Sequence, residues 1–194
     1  MTRSVTHLFD DYGRAKNALA ALERAGFSSS EVSLVSRYRD DGTLADDASG
    51  AAKGAAVGAL AGGGTGLLAA LGVIAIPGIG PLVAAGVLAT TLAGTAGGTL
   101  VGGLVGALTD NGVNEKDAHV YSEGVRRGGA LVTVRADDAR AAEAERILNQ
   151  QRPVDINARR AYYADAGWSA YDPKSTGYTA EQIRKERETH GQLS

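Results

Sequence analysis

The chain contains no cysteine, which removes disulfides, thiol nucleophiles and thiolate metal sites together. Charge of one sign is also missing: 20 Lys and Arg against 22 Asp and Glu leave a net −2, and outside the C-terminal helix no basic run exceeds two residues. Nothing in that balance favours nucleic acid as a partner. The three histidines, His7, His119 and His190, lie far apart, with no partner at metal-ligand spacing, so no metal and no cofactor are expected. No serine sits in a nucleophile elbow and no base stands beside a nucleophile, so the chain reads as a non-enzyme. Met1-Thr2-Arg3-Ser4 leads into an alternating segment without an apolar run or a small-residue cleavage site. The soluble parts are therefore expected in the cytoplasm.

What the chain has instead is glycine. Of 27 Gly, 17 fall between Gly50 and Gly106, in a stretch whose only charge is Lys53. They form two ladders at four-residue spacing: Gly50, Gly54, Gly58, Gly62 and Gly66, then Gly86, Thr90, Gly94, Gly98, Gly102 and Gly106. An i, i+4 repeat puts small residues on one helix stripe, where a second backbone can approach closely. Ile76-Pro77-Gly78-Ile79-Gly80-Pro81 interrupts the ladders with residues that no helix runs through, so Pro77, Gly78, Gly80 and Pro81 are assigned to a hairpin turn. The expectation is a glycine-zipper helical hairpin over 54–76 and 82–108. These arms would measure roughly 35 and 40 Å against a bilayer core of about 30 Å. In water each interior Gly costs about 0.5–1 kcal/mol against Ala, which favours a transmembrane hairpin. The eight large apolar residues of the first arm favour insertion by only roughly 2–5 kcal/mol. A soluble oligomer with the hairpins as its buried core is the alternative. Gly64-Thr65-Gly66-Leu67-Leu68-Ala69 fits a dinucleotide fingerprint in letters only, because no strand precedes it and no acidic residue follows at the required distance.

Two similar units flank the insertion. In the first, Val5, His7 and Phe9 alternate with Thr6 and Leu8 as a strand, and Asp10 or Asp11 caps a helix with Ala15, Ala18, Leu19 and Leu22 on one face. Gly26 stops that helix, and a second strand runs over 31–37. In the second, Asn114 caps a helix ending at Arg126-Arg127-Gly128-Gly129, Leu131, Val132 and Val134 mark a strand, Asp137 and Asp138 open a helix, and 154–156 offers a last strand. The expected class is α+β: a ferredoxin-like β-α-β-β-α-β domain, its halves at 1–40 and 114–158, split by a linker and hairpin at 41–113. An even number of spans would leave both termini on the cytoplasmic side.

The tail, 159–194, holds half of the ten aromatics: Tyr162, Tyr163, Trp168, Tyr171 and Tyr178. Thr179-Ala180-Glu181-Gln182 is a capping box opening a short charged helix. Amphipathic rings suit a membrane interface, docking on another subunit, or packing back onto the sheet. Lys53, Arg126 and Arg127 are candidate contacts for anionic lipid headgroups, with a charged helix C-cap as the simpler role for the arginine pair.

Val5-Thr6-His7-Leu8-Phe9-Asp10, Ile76-Pro77-Gly78-Ile79-Gly80-Pro81, Tyr121-Ser122-Glu123-Gly124-Val125-Arg126-Arg127-Gly128-Gly129 and Leu131-Val132-Thr133-Val134 together resemble the bacterial heat-induced general stress protein family, over about residues 4–157. The resemblance implies a stress-associated protein with a ferredoxin-like domain and no assigned catalytic residues. The resulting expectation is a homo-oligomer in a lipid bilayer, the bacterial inner membrane, that displays this domain, with the cytoplasm as the alternative. A small-ligand sensor is a further alternative, by fold analogy alone.

Overall fold

The computed structural model describes residues 2–37, 72–76, 80–86, 88 and 103–191. They form a mixed α+β structure around one antiparallel sheet. Strand β1 (Thr2–Phe9) leads to helix α1 (Tyr12–Arg24) and strand β2 (Val32–Ser36). Strands β3 (Gly72–Ile76) and β4 (Gly80–Ala85) come from the glycine-rich insertion. Helices α2 (Gly103–Asp110) and α3 (Glu115–Arg126) precede strand β5 (Ala130–Asp137), and helices α4 (Asp138–Asn149), α5 (Ile156–Asp165) and α6 (Ala180–Gly191) complete the described chain.

The sheet order is β1-β5-β2-β4-β3, every neighbouring pair antiparallel. β5 thus lies between β1 and β2, pairing Val134 with both Val5 and Val32. Local chemistry fixes the helices. The Asp11 side chain accepts from Arg14 N–H at 2.8 Å to start α1, and Gly26, at φ +82°, ends it while Phe27 N–H bonds back to the Leu22 carbonyl. Asn114 caps α3 through Lys116 N–H, and Asp137 caps α4 through Arg140 N–H.

Helices cover both faces of the sheet. On one, Val5, Phe9, Val32, Leu34, Val132 and Val134 pack against Ala15, Leu19 and Leu22 of α1 and Ala141, Ala144 and Leu148 of α4. On the other, Leu8, Val35, Ala84 and Leu131 meet Leu104 and Leu108 of α2, Ala118 and Val125 of α3, and Tyr171. Fully burying each of these leucines and valines is worth about 1.5–3 kcal/mol. Two covered faces explain why β2 is buried at every position rather than at alternate ones.

The insertion departs from the helical expectation. The segments 72–76 and 82–85, which belonged to the two expected arms, and Gly80-Pro81, which belonged to the expected turn, lie in the strands of one β-hairpin, in register from Gly72 opposite Ala84 to Ile76 opposite Gly80. The Val73-Ile74-Ala75-Ile76 run before Pro77-Gly78 is β-branched and short, as a strand ahead of a turn should be. Gly80 and Pro81 lie inside β4. Gly86 belongs to no helix stripe: at φ +80° it turns the chain against β2, where an added Cβ would stand 1.9 Å from the Val32 carbonyl oxygen. Gly106 lies in the eight-residue α2, and Gly50, Gly54, Gly58, Gly62, Gly66, Thr90, Gly94, Gly98, Gly102, Pro77 and Gly78 fall outside the described residues. Neither expected span survives as a continuous helix, and among the described residues no helix is long and apolar enough to cross a membrane. The transmembrane reading is corrected accordingly.

The expected last strand at 154–156 is also absent. Val154 donates one backbone hydrogen bond to the Leu8 carbonyl at 2.8 Å, and the Asp155 side chain then caps α5 by accepting from Asn157 and Ala158 N–H.

Candidate functional site

The Tyr121-to-Gly129 motif occupies the second half of α3 and the turn after it, and nearly every residue in it has a contact that explains it. The Tyr121 hydroxyl donates to the Thr6 carbonyl at 2.9 Å. Gly124 faces Leu8, whose Cδ2 would stand 2.4 Å from an added Cβ. Glu123 is only 1 % exposed and accepts from Arg126 Nε at 2.8 Å and Arg127 Nε at 2.6 Å. Burial pushes the Glu123 carboxyl up, but the two guanidinium groups outweigh it and hold it below the usual Glu value.

The outer ends of both arginines bind the tail. Arg127 Nη1 donates to Glu186 of α6 at 2.7 Å, and its guanidinium carbon lies 4.2 Å from the Tyr163 ring centroid. Arg126 Nη1 donates to the Thr176 carbonyl at 2.7 Å and its guanidinium covers Tyr178. Burial works against both cations, and hydrogen bonds to carboxylates reverse it, leaving their pKa values raised. Tyr178 N–H donates to the Arg126 carbonyl, and buried Arg37 donates to the Tyr178 carbonyl at 2.6 Å. Gly128, at φ +94°, lies directly under Ile183. Arg126 and Arg127 are therefore engaged with protein groups, at 12 % and 10 % side-chain exposure; Lys53 is outside the described residues.

The tail aromatics belong to the same junction. Tyr163 and Tyr171 are buried, and burial pushes each phenol up to about 12. Tyr162 packs against Tyr163, and Trp168 meets Tyr163 edge-on at 5.6 Å between centroids. Arg159 of α5 pairs with Asp10, at 2.8 and 3.0 Å, and Thr179 and Gln182 form the expected reciprocal capping box. The tail folds back onto the domain.

Two concavities lie beside this junction. The first, about 360 Å³, sits between α3 and α5 and is lined by Lys116, His119, Arg160, Ala164, Trp168 and Ser169. His119 Nδ1 accepts the Tyr171 N–H at 3.2 Å, which leaves the ring proton on Nε2. Arg160 bonds Asp117 and Asn157. The second, about 470 Å³, follows the outer side of β1 and is lined by His7, Tyr121, Asn149, Arg152 and residues 153–156. There Glu145 Oε1 lies 3.1 Å from His7 Nε2 and accepts from Asn149 Nδ2 at 3.2 Å, while Arg152 holds φ +53°. The side chain of His190 is outside the described residues. Among the described residues no group of three or more His, Asp or Glu is placed to hold a metal.

Sequence reasoning assigned no role to Lys116, Arg160 or Glu186, whose partners lie some 40 to 60 positions away and carry no spacing pattern; Glu123 was named only within its motif, although it stands at i, i+3 and i, i+4 from Arg126 and Arg127, a spacing that marks helical ion pairs. No protein family, curated protein or solved structure matches the chain.

Proposed function

We propose that this chain is a non-enzymatic, stress-associated module of the heat-induced general stress protein kind that binds a small molecule and registers it through its C-terminal tail. One observation carries the reading: the 360 Å³ cavity has one wall from α3 of the domain and the opposite wall from α5 and the Trp168-Ser169 loop of the tail. A ligand there touches both parts at once, and its size fits a small organic molecule. A ferredoxin-like core is supported by β5 lying between β1 and β2, by α1 and α4 sharing one face, and by the Val154 bond to Leu8 on the side where a fourth strand would run. The test is thermal unfolding of the full chain against a metabolite panel: a saturable stabilisation that Trp168→Ala abolishes supports the reading, and a silent panel overturns it.

Assembly of copies through the sheet is a second reading, favoured by β3. Among the described residues it ends the sheet, and Gly72-Val73-Ile74-Ala75-Ile76 carries no charge to discourage pairing with another chain. Ile74→Lys should reduce the mass measured by light scattering; an unchanged mass removes this reading.

A further inference from the structure

We infer that the occupant of the α3–α5 cavity is a small organic anion with a flat apolar body, of the aryl carboxylate or aryl phosphate type; this rests on the ligand-binding reading above. The wall is rich in donors. Lys116 brings an ammonium and Arg160 a guanidinium, His119 is left with its Nε2–H as donor because Nδ1 is taken by Tyr171, and Ser169 can donate or accept. Among the described residues no carboxylate lines the cavity; Asp117, the partner of Arg160, is already bonded to it.

The indole of Trp168 and the methyl of Ala164 supply the apolar side, and the volume exceeds what an inorganic anion fills.

Trp168 is the chain's only tryptophan, so its emission reports the cavity alone. The full chain is titrated with benzoate, phenyl phosphate, benzamide, benzylamine and inorganic phosphate, with calorimetry in parallel. Benzoate or phenyl phosphate should change Trp168 emission saturably and bind at least about tenfold tighter than benzamide, with benzylamine weaker still. Lys116→Gln, a change on an exposed side chain that leaves the fold intact, should weaken the anions by about threefold to tenfold and leave benzamide unchanged. Benzamide or benzylamine binding as tightly as benzoate overturns the anion assignment while leaving a ligand cavity in place. Inorganic phosphate matching phenyl phosphate overturns the apolar body. Silence from every probe in both fluorescence and calorimetry removes the cavity as a binding site altogether.

Discussion

Nε of Arg127 lies 2.6 Å from Oε1 of a Glu123 carboxylate that is almost fully buried, and the far side of the same guanidinium reaches Glu186 on the last helix. One arginine thus bridges the domain and its tail. Its ion pairs are not surface decoration: both partners are largely withdrawn from water, where breaking a pair costs more than making it gains.

Glu123→Gln should lower unfolding free energy by about 3 kcal/mol, at the low end for a broken buried pair because Arg127 keeps Glu186. Urea unfolding at pH 7 measures it.

The same carboxylate sets an acid limit. Its folded-state pKa is lowered, so the unfolded chain takes up its proton first as pH falls. Its contribution is complete above the ordinary Glu value of about 4.3 and is lost as pH drops through the lower folded value. Urea midpoints should fall below pH 4.5 in the wild type, and less so in Glu123→Gln.

Three tyrosines set the alkaline limit. Tyr121, Tyr163 and Tyr171 are each pushed up to about 12 by burial, above the ordinary phenol value of about 10. The folded chain keeps these protons where the unfolded chain releases them. Their contribution to stability is therefore complete below pH 10 and is lost as pH rises towards 12. Tyrosinate absorbance followed with circular dichroism should show these phenols ionising together with unfolding.

Ile183→Ala removes a fully buried side chain that packs over Gly128. Large-to-small changes of this kind cost about 2–5 kcal/mol, and here the loss should fall on tail docking. Limited proteolysis should cut residues 166–182 at least about tenfold faster, with β1, β5 and α4 still protected.

Much of this architecture is legible in the sequence, and the reasons differ from part to part. Asp11, Asn114 and Asp137 announce their helices by cap chemistry, and the Leu131-Val132-Thr133-Val134 run announces β5. The insertion misleads at Gly86, which fits a helix stripe by its four-residue spacing, whereas it is needed for a left-handed turn against Val32. Its hairpin was nonetheless marked by Val73-Ile74-Ala75-Ile76 ahead of Pro77-Gly78. Helix α5 was missed because its start, Asp155, sits where Val154 and Ile156 suggest a strand. The cavity has no local signal, since Lys116 and Trp168 meet only through tertiary folding.

Gly86→Ala separates the two readings of the insertion. A helix stripe tolerates Ala, but here the Cβ would collide with the Val32 carbonyl at a φ that Ala disfavours. The change should cost on the order of 3 kcal/mol, measured by urea unfolding; a neutral or stabilising result would contradict the β-hairpin.

Hydrogen–deuterium exchange of the full chain, with and without the compound that raises its melting temperature most, asks whether the tail registers the cavity. Amides of Trp168 to Tyr171 and of the first turn of α6 should exchange at least about tenfold more slowly with ligand, alongside those of α3. Protection confined to α3, or no change in the tail with any stabilising compound, would contradict a ligand-reading role for residues 166–191.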